Sequence, residues 1–197
     1  MGRIGVFVDR DGTLIEERDF LRLPEGLRLI DGAAQSIRKL NQRGLVTCVI
    51  SNQSGVARGL LSEGDLQSIH RRLTEELARE GAAVDRIYYC PHHPGGSVEP
   101  YVTDCECRKP KPGMMRKAER ELSIDLSRSY VVGDKLVDIQ AGRAVAATTI
   151  LVLTGYGESS LEMSKKENVP ADFVAPSIGE AVEFIIRDID EDAKKKS

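Results

Sequence analysis

The chain has 197 residues, with 28 Lys and Arg against 31 Asp and Glu and a formal net charge of −3. That length suits one domain with a sizeable core, and so even a charge balance disfavours a dedicated nucleic-acid binder. A composition of 30% charged and 41% hydrophobic residues excludes a disordered chain, a coiled coil and a membrane span.

Residues 4–8 read as a first strand, and residues 32–43 as a helix carrying Ile37 and Leu40 on one face, with Gly44 just past its end. A second strand is expected over 45–51. Ser62 then opens a helix, with Asp65 completing a capping box and Leu66, Ile69, Leu73 and Leu77 forming its apolar stripe. Further on come a strand over 86–90, a helix over 112–122 with Pro112 in its first turn, a strand over 129–132, a helix over 136–145 and a strand over 149–153. Residues 157–169 read as a polar, mobile connection to a short strand near Phe173, followed by a helix over 177–187. The alternation predicts an α/β fold with a single Rossmann-like, doubly wound parallel sheet in a domain spanning 1–187. Residues 188–197 read as a charged, solvated tail. Residues 1–8 lack the apolar run of a signal peptide, so the expectation is a cytoplasmic protein with no membrane partner, and a monomer because no apolar stripe demands a partner.

Four polar clusters fall at the carboxyl ends of predicted strands, where open α/β sheets bind ligands. Asp9 and Asp11 stand two apart on extended chain and can turn to one side, holding a divalent cation while one oxygen stays free to attack phosphorus. An Asp-Gly turn at Gly12 accounts for part of the same pattern. Ser51, Asn52, Gln53 and Ser54 follow the second strand and can donate to phosphate oxygens, although such residues also form ordinary turns. Arg108 and Lys109 are cations stiffened by Pro110 and Pro112. Asp134 and Lys135 close the fourth strand as a third carboxylate and another cation, while Asp138 is accounted for by the dipole of the helix that follows.

A cysteine and histidine cluster lies between residues 90 and 107. Cys90-Pro91-His92-His93-Pro94 and Cys105-Glu106-Cys107 offer three sulfurs and an imidazole, a closed tetrahedral set suited to structural Zn²⁺. A catalytic zinc, free thiols and a disulfide are the alternatives. Cys48 reads as a buried core residue and His70 simply as a helix residue.

Asp9-Arg10-Asp11-Gly12-Thr13, Ser51, Lys109 and Gly133-Asp134 stand in the order of the haloacid dehalogenase-like phosphohydrolase motifs, and the chain resembles that family. The run from Tyr89 to Pro94 and that from Cys105 to Met114 resemble its zinc-loop branch, which includes D-glycero-D-manno-heptose 1,7-bisphosphate phosphatases and histidinol-phosphate phosphatases. The resemblance implies Asp9 as nucleophile through an aspartyl-phosphate, Asp11 as general acid and base, and Ser51 with Lys109 as phosphoryl stabilisers. It implies catalytic Mg²⁺ on Asp9, Asp134 and the main chain of Asp11, and structural Zn²⁺ on Cys90, His92, Cys105 and Cys107. Only residues 14–45 separate the first motif from the second strand, too few for a bulky cap, so the cleft should be open. Glu17, Arg18, Asp19, Phe20, Asn52, Gln53, Ser54, Arg108 and Lys135 are then the expected substrate contacts. The implied activity is a sugar bisphosphate phosphatase of heptose and lipopolysaccharide biosynthesis. A phosphatase for histidinol phosphate or another small phosphomonoester is the alternative, and a zinc-stabilised module without catalysis is the alternative of another class.

Overall fold

The computed structural model describes residues 2–195. Its strands are β1 (Gly5–Val8), β2 (Val46–Asn52), β3 (Arg86–Cys90), β4 (Tyr130–Gly133), β5 (Thr148–Val152) and β6 (Phe173–Ala175). Its helices are α1 (Ala33–Gln42), α2 (Glu63–Arg79), α3 (Gly113–Leu122), α4 (Leu136–Arg143), α5 (Gly157–Glu167) and α6 (Ile178–Lys195). The strands form one parallel sheet in the order β3-β2-β1-β4-β5-β6. The chain winds outward from β1 to β3, then crosses back to lay β4 on the other side of β1. This reversal opens a crevice above the carboxyl ends of β1 and β4.

Side-chain alternation along β1 builds both cores. Val6 and Val8 face a cluster containing Ile37, Leu40, Leu66, Ile69, Leu73, Leu77, Val182 and Ile185. Phe7 faces the other, with Cys48, Met114, Met115, Ala118 and Val131. Each of these side chains is nearly or fully buried, so truncating Phe7 to Ala costs about 3–5 kcal/mol by the usual cavity and transfer terms. Val8 lies opposite Val49 of β2 and Val132 of β4, which brings the ends of the three strands level.

The predicted strands and helices form with ends displaced by a residue or two, except in the last third of the chain. The capping box at Ser62 is present: its Oγ accepts from the Asp65 N–H at 3.1 Å, and the Asp65 carboxylate accepts from the Ser62 N–H at 2.8 Å. Pro112 sits just before α3 rather than inside its first turn. The expected mobile connection over 157–169 is instead α5. Its buried face consists of Gly157, Ser160 and Ser164, so no apolar stripe announces it. The predicted tail continues α6 as far as Lys195: Asp188 accepts from the Tyr130 hydroxyl at 2.8 Å, and Arg43 pairs with Asp190 at 2.5 Å. The rest of that tail, Lys196 and Ser197, lies outside the described residues. Between β1 and α1 the chain forms a loop with one short 3₁₀ turn, Pro24–Gly26, and no inserted domain. Among the described residues no helix is long and apolar enough to cross a membrane.

Candidate active site and cysteine cluster

The crevice at β1 gathers the four polar clusters, although Arg108 and Lys109 reach it from irregular chain just before α3 rather than from a strand end. Asp9 leaves β1 with its N–H bonded to the Val132 carbonyl at 2.9 Å, which fixes it between β2 and β4. Asp134 is fully buried, and its carboxylate rests against two glycines. A Cβ on Gly12 would come within 2.2 Å of Asp134 Oδ2 and one on Gly155 within 2.3 Å; both residues also have positive φ, a backbone that side chains disfavour. Asp134 Oδ2 accepts from the Tyr156 N–H at 2.9 Å, whereas its Oδ1 is buried without a hydrogen-bond partner. One oxygen from each of Asp9, Asp134 and Asp138 lies within 4.8 Å of the others, a spacing that suits a small hard cation. Burial pushes Asp9 up to about 6, against the opposing charge of Lys109 and helped by Asp138 and Asp11. Burial and then the charge of Asp9 push Asp134 up to about 8. So much crowded negative charge is relieved by a cation.

Lys109 supplies part of that relief. Its buried Nζ lies 2.6 Å from Asp9 Oδ1, 2.6 Å from Asp138 Oδ1 and 2.8 Å from the Ile50 carbonyl. Burial alone would lower its pKa, but Asp138 and Asp9 outweigh that and raise it, so the ammonium keeps its proton. Asp138 also caps α4 by accepting from the Lys135 N–H at 3.0 Å. Sequence reasoning gave Asp138 only a dipole role, because its contact with Lys109 joins residues far apart in the chain. Asn52 donates to the Lys109 carbonyl and accepts from its N–H, both at 3.0 Å, so it holds the lysine's backbone.

Asp11 sits in a second network. Arg10 donates to it from Nε at 3.1 Å and Nη2 at 2.9 Å, and Gln53 Nε2 donates to its Oδ2 at 2.9 Å. Gln53 also donates to Ser51 Oγ at 2.7 Å, which places the Ser51 hydroxyl 3.4 Å from Asp11. Burial would raise Asp11, but the charge and hydrogen bonds of Arg10, with the bond from Gln53, hold its carboxyl below the ordinary range. Arg10 itself, 1% exposed, stands inside the first motif but was given no role by sequence reasoning.

The cleft above these groups has a volume of about 540 Å³. Glu17, Asp19, Phe20, Ser54, Arg108 and Lys135 reach its wall as expected. Arg18 does not line it and turns to Glu16 at 3.0 Å. Lys135 Nζ pairs with Glu17 at 2.7 Å and lies 4.7 Å above the Tyr156 ring, whose hydroxyl donates to Asp19 at 2.9 Å. Tyr156 therefore ties the 17–20 loop to the far side of the cleft, a role that nothing in its sequence context signals. Phe20 is 42% exposed and has φ of 80°, a conformation uncommon for a bulky residue and found most often where function holds it.

The cysteine cluster lies beside this cleft, with Cys90 at the end of β3 and His92, Cys105 and Cys107 on a loop without regular structure. Cys105 Sγ is 3.2 Å from Cys90 Sγ and 2.9 Å from Cys107 Sγ, and His92 Nδ1 is 3.4 Å from Cys107 and 3.7 Å from Cys90. These thiols are free, and one ligand atom from each of the four residues lies within 4.8 Å of the rest. Hydrogen bonds from Cys90, Cys105 and His92 pull the Cys107 thiol down to about 5 even against burial, so the cluster already favours a thiolate. Such a donor set fits tetrahedral Zn²⁺. His93 stands apart, with Nδ1 accepting from the Gly95 N–H at 3.0 Å and Nε2 3.4 Å from Arg58. Arg108 is tied to this loop through the His92 carbonyl at 3.2 Å.

A buried lysine beside a strand-end aspartate, with further carboxylates at the switch point of a parallel sheet, defines a phosphoryl-transfer site of the open α/β class. A family model described as HAD-hydrolase-like matches residues 106–181. The D-glycero-D-manno-heptose-1,7-bisphosphate 7-phosphatase of Thermosynechococcus vestitus is 42% identical over 189 residues, covering 94% of this chain and 96% of that protein. The D-glycero-beta-D-manno-heptose-1,7-bisphosphate 7-phosphatase of Escherichia coli K12 is 44% identical over 153 residues, covering 76% and 79%. A crystal structure of D,D-heptose 1,7-bisphosphate phosphatase from B. bronchiseptica, complexed with magnesium and phosphate, superposes with a TM-score of 0.84 at 33% identity, covering 94% of this chain and 99% of that one. The chain belongs to the heptose-1,7-bisphosphate 7-phosphatase family of HAD-like hydrolases.

Proposed function

We propose that the protein is a cytoplasmic, magnesium-dependent phosphatase that hydrolyses D-glycero-D-manno-heptose 1,7-bisphosphate to heptose 1-phosphate. The observation that carries this reading is Asp9 at the switch point, salt-bridged to Lys109 at 2.6 Å and faced by the unpartnered Oδ1 of Asp134. The substrate is that of the related phosphatases described above.

Asp9 attacks the phosphorus of the 7-phosphate, forming a P–O bond to its carboxylate as the bond to the sugar oxygen breaks. Asp11 gives its proton to that departing oxygen. Arg10 holds Asp11 as a carboxylate in the free protein, and an arriving phosphate dianion favours its protonated form by adding negative charge beside it. In the second step Asp11 takes a proton from water, the water oxygen bonds to phosphorus, and Asp9 is released with inorganic phosphate. Lys109 and the Ser51 hydroxyl neutralise charge on the equatorial oxygens, while Asn52 and Asp138 hold Lys109 in place. The side chains of Asp9 and Asp134 and the main-chain carbonyl of Asp11 would hold Mg²⁺, whose charge lets an anionic nucleophile meet an anionic phosphate. Cys90, His92, Cys105 and Cys107 would hold structural Zn²⁺ and so fix Arg108, which with Lys135, Glu17, Asp19, Phe20 and Ser54 borders the substrate.

The test is magnesium-dependent phosphate release from both anomers of the bisphosphate beside histidinol phosphate, reported as kcat/KM. The reading expects a bisphosphate anomer to win by about a hundredfold, near 2.7 kcal/mol of transition-state discrimination. Preference for histidinol phosphate would keep the mechanism and discard the substrate.

A further inference from the structure

His70 has no part in the chemistry above, yet it is only 8% exposed and its Nε2 lies 3.2 Å from Arg10 Nη1. The two residues are sixty positions apart, His70 on α2 and Arg10 just after β1. The Arg10 fork makes four bonds in all: two to Asp11, one from Nη2 to Gln53 Oε1 at 3.0 Å and one toward His70. A guanidinium has no lone pair to accept with, so Arg10 must donate and His70 must accept through Nε2. The imidazole is therefore neutral with its proton on Nδ1. Burial, then the charge of Arg10, push its pKa down to about 3, which keeps that state throughout the neutral range. The ring also packs against Tyr89, with centroids 5.3 Å apart, and the Tyr89 hydroxyl is in turn 3.3 Å from Glu63.

We infer that His70 is a positioning residue for the proton-transfer carboxylate: by accepting from Nη1 it fixes the plane of the Arg10 fork, and the fork fixes the Asp11 carboxylate. Three of the four bonds made by the fork reach Asp11 or its partner Gln53, so rotation about the Arg10 side chain misaims Asp11 directly. The last bond, to His70, ties the far end of the fork to the scaffold of α2. Removing the acceptor leaves a buried N–H without a partner and releases that end.

This inference rests on the phosphatase reading, and the experiment separates the two. His70→Leu keeps bulk but removes the acceptor, whereas His70→Gln places an amide oxygen near the position of Nε2. Each variant and the wild type are assayed with an alkyl phosphate, a sugar phosphate for instance, whose leaving oxygen needs a proton, and with p-nitrophenyl phosphate, whose leaving group departs without one. For His70→Leu we expect kcat on the alkyl phosphate to fall about 10- to 100-fold with KM little changed. On p-nitrophenyl phosphate the same variant should show a burst of p-nitrophenolate equal to the active enzyme, then slow turnover, since only hydrolysis of the aspartyl-phosphate still needs Asp11. His70→Gln should stay within about threefold of wild type in both assays. Equal loss on both substrates without a burst marks a structural role and overturns the inference, as does full activity of His70→Leu or failure of both variants to fold. A wild type inactive on every phosphomonoester overturns the phosphatase reading and this inference with it. An active wild type with an unaffected Leu variant overturns this inference alone.

Discussion

The carboxylate and lysine site and the cysteine cluster both crowd reactive groups into a small volume, but different parts of the fold hold them there. Asp9 and Asp134 follow strands paired on both sides, and Lys109 already offsets part of their charge. Cys105, Cys107 and His92 lie on irregular chain, and the three thiols and the imidazole meet one another and the His92 carbonyl. A parallel sheet can therefore preorganise a metal site before the metal arrives, whereas a loop of this kind takes its shape from the ion. The carboxylate site should lose activity but keep stability when altered, and the cysteine site should lose stability first.

The largest expected effect breaks the first half of that contrast. Asp9→Asn should lower kcat by at least about 10⁴-fold, the scale of losing a nucleophile, measured by phosphate release. Its melting temperature should stay level or rise, because burial disfavours the Asp9 charge that the substitution removes. Asp138→Asn comes next. It weakens the pair that anchors Lys109 without touching the nucleophile, so kcat should fall about 10²-fold with circular dichroism unchanged.

Cys105→Ser tests the other half. Loss of one ligand from a structural site should lower the melting temperature by about 5–10 °C, corresponding to about 2–3 kcal/mol in a chain of this size, and should abolish stoichiometric zinc in the purified protein. Unchanged thermal stability in that variant would mean that the loop holds its shape without a metal.

The smallest effect is one of pH. His70 has its native pKa depressed to about 3 from an ordinary 6.5, so between those values the unfolded chain binds a proton that the native chain refuses. The stability this contributes is complete above about pH 6.5 and is lost as pH falls toward 3, about 2 kcal/mol between pH 7 and 5. Asp9 and Asp134, with raised values, oppose this in the metal-free protein, since the native state binds their protons more tightly than the unfolded chain does. The His70 contribution therefore appears as a difference. Denaturant titrations at pH 7 and pH 5 should show wild type losing about 2 kcal/mol more than His70→Gln.

Legibility in the sequence followed the range of the interaction. Asp9, Asp11, Ser51 and Asp134 were legible because they stand at or just past the ends of short buried strands, the edge where parallel sheets bind ligands, and Lys109 was legible from the basic run before α3 and the order of the family motifs. The grouping of Cys90, His92, Cys105 and Cys107 was legible from their spacing together with the family resemblance. α5 was not, because Gly157, Ser160 and Ser164 make a buried face without hydrophobic contrast. The extension of α6 was not, because its charged residues read as a solvated end, yet Asp188 and Asp190 meet Tyr130 and Arg43 from distant segments.

By itself the sequence determined the strand alternation, the carboxyl-edge placement of Asp9, Ser51 and Asp134 and the Cys90, His92, Cys105 and Cys107 cluster, since these depend on local patterns of polarity and side-chain type. Only the tertiary structure decided that Asn52 and Asp138 hold Lys109, that Arg10 and His70 stand behind Asp11, and that Tyr156 bridges the cleft. Those contacts join residues between 29 and 137 positions apart, and a linear pattern carries no record of which distant side chains the sheet order will bring face to face.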